Sequence, residues 1–147
     1  MAIWGALGLA IAAGAMLPFQ AGINAALSRF VGAPSRAAFV SFAVGTVALL
    51  VVSLLATRGL VNLSRVSEAP WWVWIGGLLG AFYVFGATVS APRLGAVSLI
   101  AAIFAGQAAA SLVIDHYGWV GLPEQAITPA RLAGIGLLAV GLALVRA

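Results

Sequence analysis

The stretch GQAAASLVIDHY, residues 106–117, sets three polar side chains into a segment that is otherwise largely apolar. Gln107, Ser111 and Asp115 recur at every fourth position, which places all three on one face of an α-helix. Lipid cannot satisfy the hydrogen bonds of such a stripe, so within a membrane it must face protein or water. The stripe therefore predicts a membrane-embedded helical bundle that encloses a polar pathway.

A companion pair, Gln20 and Asn24, lies four residues apart on the first apolar segment, beside Pro18, which should kink or loosen that helix. These amides either touch a permeating solute or only form interhelical hydrogen bonds, worth roughly 0.6 to 2 kcal/mol each. Asp115 is either a proton or cation site or a structural residue that is solvated, paired with an arginine or in contact with His116.

The composition is that of a chain in contact with a lipid bilayer. Of its 147 residues, 64% are hydrophobic and only 7% are charged, whereas soluble domains carry roughly a quarter charged residues. The absence of cysteine excludes disulfides and thiolate sites, and three acidic residues with one histidine leave little for a metal. We therefore expect no metal and no cofactor. No nucleophile–base pair or phosphate-binding loop indicates an enzyme.

The seven basic residues give a net charge of +4. They occur singly at the ends of apolar segments, where contact with lipid headgroups is the ordinary explanation. We therefore expect no nucleic-acid partner.

Five segments are long and apolar enough to cross a bilayer core of about 30 Å, which takes about 20 residues. They are residues 3–28, 35–57, 70–90, 96–117 and 129–145, each to within a few positions. Thr128 and Pro129 have the residue types favoured at a helix N-cap and first turn. The prediction is an all-α membrane protein of one domain, residues 1–147, with five transmembrane helices.

Four glycines predict close helix packing or a dimer interface. Gly76 and Gly80 form a small-xxx-small pair in the third segment, which lets another helix approach closely. Gly134 and Gly141 are seven residues apart in the fifth segment and share one face.

Basic residues are nearly balanced across the predicted membrane. With five spans, three arginines fall on the amino-terminal side and four on the other: Arg58, Arg65 and Arg131 against Arg29, Arg36, Arg93 and Arg146. The positive-inside rule needs a bias to fix orientation. Either weaker cues select one orientation, or the chain inserts both ways and pairs as an antiparallel homodimer. Such a dimer would form an inverted repeat around a midplane site.

Several motifs, in order along nearly the whole chain, resemble the YdcZ-like five-helix inner-membrane proteins. They are QAGINAAL at 20–27, SFAVGT at 41–46, PWW at 70–72, GG at 76–77, PRLG at 92–95, GQ at 106–107 and SLVIDHYG at 111–118. The resemblance implies the bacterial inner membrane, the drug/metabolite transporter superfamily and half of a ten-helix inverted-repeat transporter. It implies no substrate. The small multidrug exporters of that superfamily carry a membrane-embedded Glu on the first helix, whereas the first acid here is Glu68, so their antiport mechanism is not implied.

The function that we predict is a small secondary transporter, an exporter of a small organic solute or cation. It would work as an antiparallel dimer with a polar pathway between helices 1 and 4. The alternatives are a dual-topology ion channel, which a much faster flux would reveal, and a non-transporting membrane scaffold.

Overall fold

The computed structural model describes residues 3–57 and 66–146, and within these ranges the chain is helical and contains no strand. Its α-helices are α1 (Ile3–Val31), α2 (Pro34–Thr57), α3 (Gly76–Tyr117) and α4 (Pro129–Arg146), with short 3-10 helices at Val66–Glu68, Trp71–Ile75 and Trp119–Gly121. The all-α fold class is confirmed. Arg58 and Arg65, which enter the charge balance, lie outside the described residues.

Three of the described helical runs are long and apolar enough to cross a membrane: Ile3–Val31, Pro34–Ala56 and Trp71–Tyr117. Pro129–Val145 is a shorter apolar helix. Large apolar side chains are mostly exposed on the protein surface; Ile3, Phe30 and Leu55, for example, are exposed by more than three quarters. An apolar surface this extensive suits lipid as the surrounding solvent and would aggregate in water.

Helix α3 covers the predicted third span from Gly76 onward and all of the predicted fourth span, whereas the third span starts in the 3-10 helix Trp71–Ile75. Helix α3 contains Pro92, whose nitrogen has no proton to donate to the backbone, and its non-helical residue is Gly95, with φ 72° and ψ 167°. That conformation belongs almost exclusively to glycine. The helical path is therefore interrupted at Gly95, within the motif PRLG.

The described residues form two compact units, which we name the middle unit (Phe19–Arg93) and the terminal unit (Met1–Pro18 with Leu94–Ala147). The core of the middle unit consists of small residues, because alanines supply most of its buried positions: Ala21, Ala25, Ala37, Ala38 and Ala87. The Phe42 ring of α2 packs against Gly80 of α3, since a Cβ atom added to Gly80 would lie 3.4 Å from Cζ of Phe42. Small residues are typical of tightly packed membrane helices.

In the terminal unit, the connection between α3 and α4 is fixed by its own backbone. Gly118 adopts the left-handed conformation (φ 60°) that ends α3. Downstream, the N–H of Gln125 donates to the carbonyl oxygen of Asp115 at 2.7 Å. The N–H of Arg131 then donates to Oγ1 of Thr128 at 3.3 Å, and α4 begins at Pro129. The predicted N-cap at Thr128 is confirmed.

Candidate functional site

The candidate site lies in the terminal unit, where an acidic and a basic side chain form an ion pair. Nη2 of Arg131 donates to Oδ2 of Asp115. The side chains are 32% and 20% exposed, respectively. Of the structural roles considered for Asp115, pairing with an arginine is therefore realised. The turn that places Arg131 opposite Asp115 is the one described above, which folds Gln125 back onto the end of α3.

Arg131 has donor capacity beyond this ion pair. Its Nη1 atom is buried and has no hydrogen-bond partner among the described residues. A charged donor that is buried without a partner is unfavourable by at least about 1 to 3 kcal/mol. The ion pair alone therefore leaves part of the guanidinium unsatisfied.

A cavity of about 330 Å³ adjoins this pair and lies between the carboxyl-terminal part of α3 and α4. We name it the Ser111 cavity, and its lining residues are Ala108, Ser111, Leu112, Arg131, Gly134, Ile135 and Leu138. Its polar groups are the hydroxyl of Ser111 and the guanidinium of Arg131. Asp115 is one helical turn beyond Ser111 on the same face of α3. The structure thus brings Arg131 together with Ser111 and Asp115. In the sequence analysis Arg131 entered only the count of basic residues on each side of the membrane.

Gln107, the third member of the stripe, is exposed and is not among the residues that line this cavity. Four-residue spacing drifts around a helix axis by about 40° per step, because a turn takes 3.6 residues. The stripe is therefore a helical surface feature, of which only one end borders the cavity.

The companion pair lies in the middle unit, and its two members differ in environment. Gln20 is exposed, whereas Asn24 is only 3% exposed. The Nδ2 atom of Asn24 is buried and unpaired among the described residues. Thr88, also in the middle unit, is 1% exposed and donates from Oγ1 to the carbonyl oxygen of Val84 at 2.7 Å. The sequence argument did not single out Thr88, and this bond to its own helix indicates a structural role.

A second cavity, of about 410 Å³, lies in the middle unit between α2 and the amino-terminal part of α3. Its wall is apolar and rich in phenylalanine: Ser35, Ala38, Phe39, Phe42, Ala81 and Phe85. No pattern of spacing in the sequence distinguished these phenylalanines from lipid-facing ones. Only the structure distinguishes them, because it places Phe42 against Gly80.

His116 contacts one aromatic neighbour at the end of α3. Its ring contacts Tyr117 edge to face at 4.8 Å between centroids, and Tyr117 stacks on Trp119 at 5.3 Å. Within the described ranges no group of three or more His, Cys, Asp or Glu side chains could hold a metal ion.

The four glycines predicted for packing fall into two classes. Gly80 is in contact with Phe42, as described above. A Cβ atom added to Gly76, Gly134 or Gly141 would meet no atom within 4 Å. Gly76 and Gly141 therefore face open space on the protomer, whereas Gly134 borders the Ser111 cavity; the part of all three in a dimer interface stays a prediction.

Comparison with known proteins assigns the family. The family described as "Putative inner membrane exporter, YdcZ" matches residues 5–144, which is nearly the whole chain. The protein named "Inner membrane protein YdcZ" from Escherichia coli (strain K12) is 37% identical over 76 residues. That alignment covers 52% of this chain and 50% of the relative, so it spans about half the length of each. No solved structure matches. The chain belongs to the YdcZ family and is a multi-pass protein of the bacterial inner membrane.

Proposed function

We propose that this protein is a small secondary transporter that exports a small organic solute or cation and works as an antiparallel homodimer. Membership of a family described as inner-membrane exporters supports transport in general. The finer statement rests on one observation, the Ser111 cavity with the Asp115–Arg131 ion pair beside it. Ionisable residues in apolar membrane segments are unfavourable and are typical of substrate or ion pathways.

Five membrane crossings are part of this proposal. The run Trp71–Tyr117 has 47 residues, and a continuous helix of that length would measure about 70 Å. A bilayer core of about 30 Å takes less than half of it. The break at Gly95 divides the run into two lengths that each suffice for one crossing. With α1, α2 and α4 this makes five spans, half of a ten-helix inverted repeat.

The proposed pathway lies between helices 1 and 4, that is, α1 and the part of α3 after Gly95. The residues that we propose for it are Gln20 and Asn24 on α1 and Gln107, Ser111 and Asp115 on α3. The buried Nδ2 atom of Asn24, which has no hydrogen-bond partner among the described residues, supports a polar partner for the first set. In an antiparallel dimer the two copies would supply polar groups from both sides of the membrane, as alternating access to a central site requires. Gly76 and Gly141, whose surroundings in one protomer are open, and Gly134, which borders the Ser111 cavity, are the residues that we propose for the contact between copies.

A substitution that fills the Ser111 cavity tests this function. Cells expressing the protein are loaded with a panel of small organic solutes and cations, and the efflux of each is followed by mass spectrometry against an empty vector. We expect Ser111→Leu to abolish the protein-dependent efflux, because the leucine side chain occupies the cavity. Ala109→Leu, on the opposite face of the same helix and exposed, is the matched control and should retain efflux. Equal efflux from both variants, at equal membrane levels, would refute the proposed pathway.

A further inference from the structure

The charge of the Ser111 cavity points to a specific class of solute. One guanidinium lines the wall, and one carboxylate neutralises it from one turn beyond Ser111. The site is therefore electrically neutral before any solute binds. A solute with a single charge would leave that charge without a partner, and an unpaired charge in a medium of low dielectric is strongly unfavourable.

A solute with both charges meets no such difficulty. Its anionic group can accept hydrogen bonds from Arg131, whose buried Nη1 has no partner among the described residues, and its cationic group can approach the carboxylate of Asp115. The hydroxyl of Ser111 can donate to the anion or accept from the cation. Each of the four charges then has an opposite neighbour, and the sum remains zero.

The rest of the wall and the volume of the cavity define the remainder of the solute. Leu112, Ile135 and Leu138 form an apolar surface beside the two polar groups. A volume of about 330 Å³ is at the lower end of the range of about 300 to 1,000 Å³ found for small-molecule sites. This size suits a compact solute with a short aliphatic group.

We propose that the Ser111 cavity binds a small zwitterionic solute through Arg131 and Asp115, with an aliphatic group against Leu112, Ile135 and Leu138. This inference rests on the proposed function, because it names the class of substrate for the same site. It narrows that function from an organic solute or cation to a molecule that bears a carboxylate and an ammonium group together.

The test uses three probes with the same aliphatic group and different charges: leucine, which is zwitterionic, isopentylamine, which is cationic, and 4-methylpentanoate, which is anionic. Each is titrated into the purified full-length protein in lipid nanodiscs, and the midpoint of thermal unfolding reports binding. We expect leucine to raise the midpoint at a concentration at least tenfold lower than either singly charged probe requires. No shift with leucine, or equal shifts with all three probes, would overturn the proposal.

Variants of the two charged residues should change the preference in opposite directions. Asp115→Asn leaves Arg131 uncompensated and should favour 4-methylpentanoate at least tenfold over isopentylamine, whereas Arg131→Gln should reverse that order. Arg93→Gln, which changes an exposed arginine of the middle unit, is the control and should bind as the unaltered protein does. Variants of Asp115 and Arg131 that keep the preference for leucine would show that the pair is only structural, and would overturn the inference.

The charge-swapped variant Asp115→Arg with Arg131→Asp keeps the ion pair and guards against failure of a single variant to fold. It should still prefer leucine; a loss of that preference in a folded swap contradicts the proposal.

Failure of the zwitterion inference is distinguishable from failure of the proposed function. If the efflux panel finds a solute whose export requires an open Ser111 cavity but leucine does not bind, only the zwitterion inference fails. If Ser111→Leu leaves export unchanged, the transport pathway itself fails.

Discussion

Two hydrogen bonds that involve the backbone position Asp115 and Arg131 beside each other, in addition to the ion pair itself. Asp115 accepts a hydrogen bond from Gln125 through its carbonyl, Thr128 caps the helix that carries Arg131, and the two side chains close the loop between them. Because these backbone hydrogen bonds fix the loop between α3 and α4, less loop entropy is lost when the ion pair forms. The pair can therefore serve as a fixed element of a binding site rather than as a transient surface contact.

The free energy of unfolding should depend on both partners of this pair together. Exposed ion pairs contribute less than about 1 kcal/mol, and removal of one partner from a fully buried pair costs about 3 to 5 kcal/mol. For this half-buried pair we expect Asp115→Asn and Arg131→Gln each to cost about 1 to 3 kcal/mol, by interpolation between those limits. The double variant should cost clearly less than the sum. Strict additivity in thermal unfolding of the purified protein would contradict the interaction.

Asn24 should behave in the opposite way, because its buried Nδ2 makes no hydrogen bond within the described chain. Asn24→Val removes an unsatisfied polar group, so we expect stability to stay within about 0.5 kcal/mol of the original or to rise. Efflux should be lost, since the amide is then missing from the pathway. Ser28→Ala, one turn further along α1, is the control, because Ser28 donates to the carbonyl of Ala25 in its own helix. Normal efflux from Asn24→Val would remove this residue from the pathway.

Among the described helices α3 is unusual, because it contains both a proline and a residue with positive φ. Pro92 removes one backbone donor, and Gly95 turns the chain out of the helical region three residues later. The Gly95 position is open in space, with no atom within 4 Å of an added Cβ. The requirement for glycine there is thus one of backbone conformation and not of packing.

Because only backbone conformation requires glycine at position 95, replacing Gly95 with alanine tests the break in α3. Gly95→Ala should destabilise the protein by about 1 to 3 kcal/mol, the usual cost of a strained backbone conformation. Gly106→Ala is the matched control: it also faces open space but lies in regular helix, where alanine is favoured over glycine by about 1 kcal/mol. Thermal unfolding should therefore move in opposite directions for the two variants. A neutral Gly95→Ala would mean that α3 is not broken at this residue.

The helical fold and the start of α4 were predictable because they depend on local signals: the length of apolar segments and the residue types at Thr128 and Pro129. The partner of Asp115 was not predictable in the same way. It depends on the path of the eleven residues 118–128 between α3 and α4, which include residues with positive φ at Gly118, Val120 and Gly121, and side-chain spacing does not encode such a path. The environments of Gln107 and Asn24 were equally hidden, because periodicity gives a face but not its neighbours.

For the whole molecule, the glycines that face open space should matter to assembly and not to the protomer. We expect Gly141→Leu to reduce cross-linked dimer in native membranes while thermal unfolding of the protomer changes little, because no atom lies within 4 Å of the added Cβ. Gly80→Leu should lower the midpoint of thermal unfolding of the protomer and leave cross-linking little changed, because the leucine side chain would collide with Phe42. Unchanged cross-linking for Gly141→Leu would exclude this face of α4 from the interface.

The antiparallel dimer finally requires that both orientations occur in one membrane. Three basic residues on one side and four on the other give almost no bias, so we expect carboxyl-terminal reporters to detect both: green fluorescent protein in the cytoplasm and alkaline phosphatase outside. Glu124→Arg, Gln125→Arg and Arg93→Gln together raise the amino-terminal side to five and lower the other to three. That variant should place the carboxyl terminus outside and lose efflux, which coexpression of an oppositely biased variant should restore. Detection of the carboxyl terminus on only one side of the membrane, in the unaltered chain, would rule out the antiparallel arrangement.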